Sequence, residues 1–170
     1  MRKEQKANYP ESARGAAALL VRMVLEDGAY TNIALNQYLR GSRLSDLDRR
    51  LATELVYGTV KASGTLDWYL AQCVSRPLDK VAGDILAILR ISTYQLLYMT
   101  RIPASAAVNE AVKLARSVSH EGSAKFVNGV LRGLLRKQEA GAFVLPDAEK
   151  QDADYLSLKY YHPRWLVKRW

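Results

Sequence analysis

The stretch from Asp84 to Ile102 restricts the fold more than any other part of the chain. Wound at 3.6 residues per turn, Ile85, Leu86, Ile88, Leu89, Ile91, Leu96, Leu97, Tyr98 and Met99 project in every direction, and a helix apolar all round must lie inside something. A membrane span would need about twenty apolar residues with few charges, and this run is shorter and carries Arg90, Ser92, Thr93 and Gln95. It reads as the central helix of a helical bundle. Arg90 then needs an acceptor in apolar surroundings, and a structural ion pair with Glu54 or Glu110 is the expectation.

The flanking segments have the periodicity needed to cover such a helix. Residues 1–10 are polar and charged and read as a frayed tail. Ser12 suits an N-cap for a helix to about Glu26, with Ala16, Leu20, Met23 and Val24 as its stripe and Asp27-Gly28 as its stop. A short helix follows over Asn32 to Leu39, closed by Gly41-Ser42. Ser45, with Asp48 three residues on, caps the next, in which Leu47, Leu51 and Leu55 form a buried stripe and Arg50, Glu54, Tyr57 and Lys61 share another face. Gly64-Thr65 interrupts it, and Leu66, Tyr69, Leu70 and Cys73 begin a new amphipathic turn, with Trp68 as a packing aromatic.

After the central helix, Ile102-Pro103 is a stop, because proline disfavours helical geometry in the residue before it. Ala104 to Ala106 reads as a turn. A helix then runs over Ala107 to Val118, with Val108, Ala111, Val112 and Ala115 inward and Glu110 placed to pair with Lys113. Ser119, His120 and Gly122 form the next turn, with His120 solvated and Ser123 as cap. In the helix from Ala124 to Lys137, Val127, Val130, Leu131, Leu134 and Leu135 face the core, and Gly129 with Gly133 offers a ridge for close approach of another helix. Asn128, Arg132 and Arg136 follow at one-turn spacing, with Lys125 nearby. That row suits contacts to phosphates, and it equally suits an ordinary solvated face. Gly141 stops the helix. Residues 142–170 read as a connector and the start of a further segment, in which Pro163 begins a helix that the sequence leaves after about two turns.

Composition narrows the chemistry. A single cysteine, Cys73, leaves no disulfide framework and no thiolate zinc cluster, and with only His120 and His162 besides no metal is expected. Cys73 lacks a neighbouring cation or histidine and reads as a buried structural thiol. No apolar signal-type segment follows Met1, which points to the cytoplasm. Lys and Arg number 25 against 17 Asp and Glu, a balance of +8 that favours polyanionic partners, nucleic acid first. No glycine-rich phosphate loop follows a strand, and neither a nucleophile elbow nor an acid pair is visible, so catalysis by this chain alone is not expected. The residues alone describe a basic, all-helical domain that binds something.

Several motifs in order resemble a known family. Ile102-Pro103 through Ala107-Val108-Asn109-Glu110-Ala111-Val112-Lys113-Leu114-Ala115, then Lys125-Phe126-Val127-Asn128-Gly129-Val130-Leu131-Arg132, resembles the hallmark of NusB-like domains. Asp48-Arg49-Arg50-Leu51-Ala52-Thr53-Glu54-Leu55-Val56-Tyr57-Gly58-Thr59-Val60 and the terminal His162-Pro163-Arg164-Trp165-Leu166-Val167 are similar to the RsmB/Sun-type ribosomal RNA cytosine-C5 methyltransferases. The resemblance covers about Glu11 to Trp170. It implies an all-α NusB-like bundle over residues 11–141 that binds small-subunit (16S) ribosomal RNA for a methyltransferase domain using S-adenosylmethionine. The two cysteines of that catalytic domain have no counterpart in this sequence, so the resemblance carries RNA positioning and no catalytic residue. Within it, Arg14, Arg49, Arg50, Lys125, Asn128, Arg132 and Arg136 are the candidate RNA contacts, chosen as cations or amides off the apolar stripes and beside or within the motifs. Tyr160, Tyr161, His162, Trp165 and Trp170 are expected to dock against the chain's own catalytic domain, with a homodimer contact as the rival use. A stand-alone NusB-type antitermination protein is the alternative reading, and a scaffold binding only protein is a third.

Overall fold

The computed structural model describes residues 8–143. Among them the chain forms seven α-helices and one short 3-10 turn: α1 (Ala13–Leu25), α2 (Thr31–Gly41), α3 (Asp46–Lys61), α4 (Ser63–Ala71), the 3-10 turn Leu78–Lys80, α5 (Gly83–Tyr98), α6 (Ala104–Val118) and α7 (Glu121–Glu139). The all-α expectation holds over these residues. The segment expected to run from Pro146 into the Pro163 helix lies outside them, as do Tyr160, Tyr161, His162, Trp165 and Trp170.

Helix α5 is the axis. Ile85 to Leu89, Ile91 to Thr93 and Gln95 are all buried, and α1, α3, α4, α6 and α7 pack around it. Ile88 and Leu89 lose all solvent contact, and burial of each such side chain is worth roughly 1.5–3 kcal/mol. Helix α3 crosses α5 closely at Gly58, where a Cβ would stand 2.1 Å from the Tyr94 ring. A side chain at position 58 would have to displace that ring.

Local signals set most boundaries. The Ser12 hydroxyl accepts from the Gly15 amide at 3.0 Å and opens α1, and Ser45 accepts from Asp48 at 3.2 Å and opens α3. Gly141, at φ 64°, lies just beyond α7 in the left-handed conformation. Tyr9 packs against the core and donates to Asp84, which also takes Arg22, so Tyr9 does not belong to the frayed tail expected for residues 1–10. Burial and the Asp84 carboxylate push the Tyr9 phenol well above its usual range.

Several details differ from the sequence reading. Helix α5 stops at Tyr98, four residues before Ile102. Pro103, extended at φ −57° and ψ 136°, takes the N-cap position of α6, so Ala104 to Ala106 form a helical first turn. Ala62 separates α3 from α4, which puts Gly64 inside α4. Leu47 is 74% exposed because nothing described covers the first turn of α3; its buried stripe is Ala52, Leu55, Val56 and Thr59. Arg90 pairs with neither expected acid. It reaches Asp67 on α4 with two parallel bonds of 2.8 and 2.9 Å, while Glu54 takes Arg101 at 2.7 Å and Glu110 sits 3.7 Å from Lys113 as the spacing suggested. Cys73 is half-buried, and burial raises its thiol pKa.

Candidate nucleic-acid interface

Helix α7 separates its two duties by face. Ala124, Val127, Val130, Leu131 and Leu134 are buried against the bundle, while Lys125, Arg132 and Arg136 stand in solvent. Positions 125, 132 and 136 are two turns and one turn apart, so the three cations line one side of the helix. The Asn128 side-chain oxygen accepts from Arg132 Nε at 2.9 Å, which braces the guanidinium and leaves its terminal nitrogens for another acceptor. Gly129 and Gly133 were expected to admit a neighbouring helix. They do not: a Cβ at Gly129 would meet nothing within 4 Å, and one at Gly133 would meet only Arg136 at 3.8 Å.

The first turn of α7 opens on a cavity of about 330 Å³, lined by Arg76, Lys80, Ile85, His120, Ser123 and Phe126 among others. The Arg76 guanidinium lies over the Phe126 ring at 4.7 Å from its centroid. His120 is the N-cap of α7, its Nδ1 accepting from the Ser123 amide at 3.3 Å, a role the sequence reading had given to Ser123. Glu121 sits in the same turn, but Arg116 binds its carboxylate at 2.6 and 3.3 Å and holds its pKa low. That acid is therefore balanced by its own partner, and the cavity keeps the positive character of Arg76 and Lys80. A planar guanidinium stacked on an aromatic ring, with an ammonium group beside it, makes a cationic groove suited to phosphates.

The other candidates lie elsewhere. Arg14 on α1 donates through Nε to Gln95 at 2.9 Å, satisfying an amide that is 1% exposed at the centre of the bundle. Arg49 on α3 turns back to cap the end of α2, donating to the Leu39 carbonyl at 2.8 Å and facing the Ser42 hydroxyl at 3.3 Å. Arg50 stands in solvent beside Thr53, Glu54 and Tyr57. Helices α1 and α3 pack on each other and on α5, whereas α7 packs on α4, α5 and α6. The structure thus gathers Lys125, Asn128, Arg132 and Arg136 on one helix and leaves Arg14, Arg49 and Arg50 on another part of the bundle. Arg76, Lys80, His120 and Phe126 were not among the sequence candidates. Some forty residues separate the two sides of that groove, and no periodicity links them.

This architecture has relatives. The NusB family model matches residues 11–136. The chain belongs to the NusB family. A probable ribosomal RNA small subunit methyltransferase B from Synechocystis is 41% identical over 157 residues, which cover 92% of this chain and 34% of the relative. The Bacillus subtilis protein of the same description is 37% identical over 159 residues, covering 94% and 34%. This NusB-family chain therefore spans about a third of the length of the curated relatives it matches. Among solved structures, NusB in a complex of antitermination factors NusB and NusE with double-stranded RNA aligns with a TM-score of 0.68 at 21% identity, covering 75% of this chain and 96% of that one. Thermotoga maritima NusB aligns at 0.68 and 21% identity, covering 79% and 98%. At such identities these neighbours establish the fold. Among the described residues no helix is long and apolar enough to cross a membrane, and no group of side chains is arranged to hold a metal ion.

Proposed function

We propose that this chain is the RNA-gripping module of a small-subunit ribosomal RNA cytosine-C5 methyltransferase, acting in the cytoplasm and working with a catalytic domain that uses S-adenosylmethionine. The observation that carries this reading is the solvent-facing cationic side of α7, on the same helix whose first turn lines the Arg76–Phe126 groove. Phosphate contacts from Lys125, Arg132 and Arg136 supply affinity and orientation, and Arg76 and Lys80 in the groove offer further phosphate contacts. The described residues contain no strand and no glycine-rich strand-to-helix loop that would cradle the methyl donor, so methyl transfer is assigned to none of them. Methyltransferase relatives at 37–41% identity support this reading over the antitermination alternative, which rests on fold likeness at 21% identity.

Replacing Lys125, Arg132 and Arg136 together with alanine tests it, using fluorescence anisotropy with a ribosomal RNA fragment across a salt series. Loss of two to three phosphate contacts should weaken binding by about tenfold at low salt and flatten the log–log salt slope by roughly 1.5–2. Unchanged affinity and slope would remove α7 from the interface.

A further inference from the structure

We infer that the exposed face of α3 is the docking surface for this chain's own C-terminal segment, residues 144–170. The face carries two large apolar side chains in water, Leu47 at 74% and Tyr57 at 45% exposure, with Arg50 between them. A shallow cavity of about 370 Å³ is lined there by Arg49, Arg50, Thr53, Glu54 and Tyr57. Glu54 is neutralised by Arg101 and Arg49 is turned toward α2, so Arg50 is the cavity's uncommitted cation among the described residues. Tyrosine and arginine beside an exposed leucine form the kind of surface that interfaces use for their energetic centre.

The path of the chain indicates what covers it. Phe143, the last described residue, packs on Trp68 and Tyr69 of α4 at ring separations of 6.2 and 4.8 Å. Counting about 1.5 Å per residue back through α4 and α3, Trp68 lies no more than about 17 Å along the helices from Tyr57. An extended chain covers that span in roughly six residues at about 3.3 Å each, and 27 residues follow Phe143. Their order also complements the surface. Asp147, Glu149, Asp152 and Asp154, against the one cation Lys150, come first, and a run in which Tyr155, Tyr160, Tyr161, Trp165 and Trp170 alternate with Lys159, Arg164, Lys168 and Arg169 comes after, opposite a first turn of α3 that holds Asp46 and Asp48 beside Leu47. The acidic stretch suits Arg50, and the aromatics suit Leu47 and Tyr57. A second copy of the chain is the poorer occupant, because a two-fold contact centred on this patch sets Arg50 near its own symmetry mate.

Disulfide trapping in the 170-residue chain tests this independently of RNA binding. In a Cys73→Ser background, Tyr57→Cys is combined in turn with Tyr155→Cys, Tyr160→Cys and Trp165→Cys, and Lys113→Cys on the exposed side of α6 replaces Tyr57→Cys as control. Mild oxidation followed by mass spectrometry should give an intramolecular disulfide in at least one Tyr57 combination, at several times the yield of its control. No disulfide in any combination, equal yields in the controls, or disulfides only between chains would overturn the proposal, the last in favour of a second copy. As a second readout, the Leu47→Asp/Tyr57→Asp variant should be cleaved several-fold faster within residues 144–170 while its melting temperature holds. An unchanged cleavage rate would also overturn it.

Discussion

Arginine serves opposite purposes in the two halves of this bundle. On α1, α3 and α5 four guanidinium groups are spent on the fold's own acceptors: Arg14 on Gln95, Arg22 on Asp84, Arg49 on the end of α2, Arg90 on Asp67. Arg50 on α3, which stands in solvent, is the exception. On α7, Arg132 is braced only by Asn128, and Lys125 and Arg136 stand in water. The difference comes from the acceptors. Where a polar atom is buried or a helix end is bare, a nearby arginine satisfies it, since an unmet buried acceptor costs more than the side-chain entropy lost. Where the surrounding surface offers little to accept, the charge stays available to a ligand. Net charge alone overstates the interface; what counts is charge without an internal partner.

Breaking that contrast at its strongest point means removing Arg90. Its side chain is 13% exposed and that of Asp67 is 32% exposed, and truncation strands the carboxylate at the α4–α5 contact. Allowing for partial solvent access to Asp67, the Arg90→Ala variant should lose about 2–3 kcal/mol in a urea titration, with RNA affinity per folded molecule unchanged. A loss under about 0.5 kcal/mol would place this pair with ordinary surface ion pairs. Next in size is Arg49→Ala. It frees the Leu39 carbonyl at the end of α2 and should cost about 1 kcal/mol. If Arg49 acted chiefly on RNA, binding would fall while stability held, and the two halves would no longer differ as described.

The sequence was most informative where structure is local. The Ser12 and Ser45 caps, the stop beyond α7 and the Glu110–Lys113 pair each depend on residues within one turn of each other. The burial of α5 was also legible, because no side of it is polar enough to face water. Arg90 could not be matched to Asp67 from sequence: three carboxylates compete, and the choice depends on how α4 lies across α5. Leu47 misled for a related reason, since periodicity gives the apolar side of a helix but not how far its neighbours extend along it. At the interface, the row on α7 was visible as spacing, although spacing alone left it equal to a solvated face. The Arg76–Phe126 groove was invisible, because it exists only once the turn before α5 meets the start of α7.

Gly129 offers the mildest and most discriminating test of the cationic side. A glycine within a helix costs up to about 1 kcal/mol relative to alanine, and at this position a Cβ would touch nothing within 4 Å, so the fold itself gains nothing from the missing side chain. The Gly129→Ala variant should therefore be more stable by somewhat under 1 kcal/mol by thermal or chemical denaturation. If a phosphate backbone lies along Lys125 and Arg132, the added methyl stands between them, and RNA affinity should fall two- to threefold even as stability rises. Those opposite signs separate a ligand-bearing face from a merely solvated one, because a solvated face would show the gain without the loss. A variant gaining stability with unaltered RNA binding would move the contact off the centre of α7 and toward the Phe126 end.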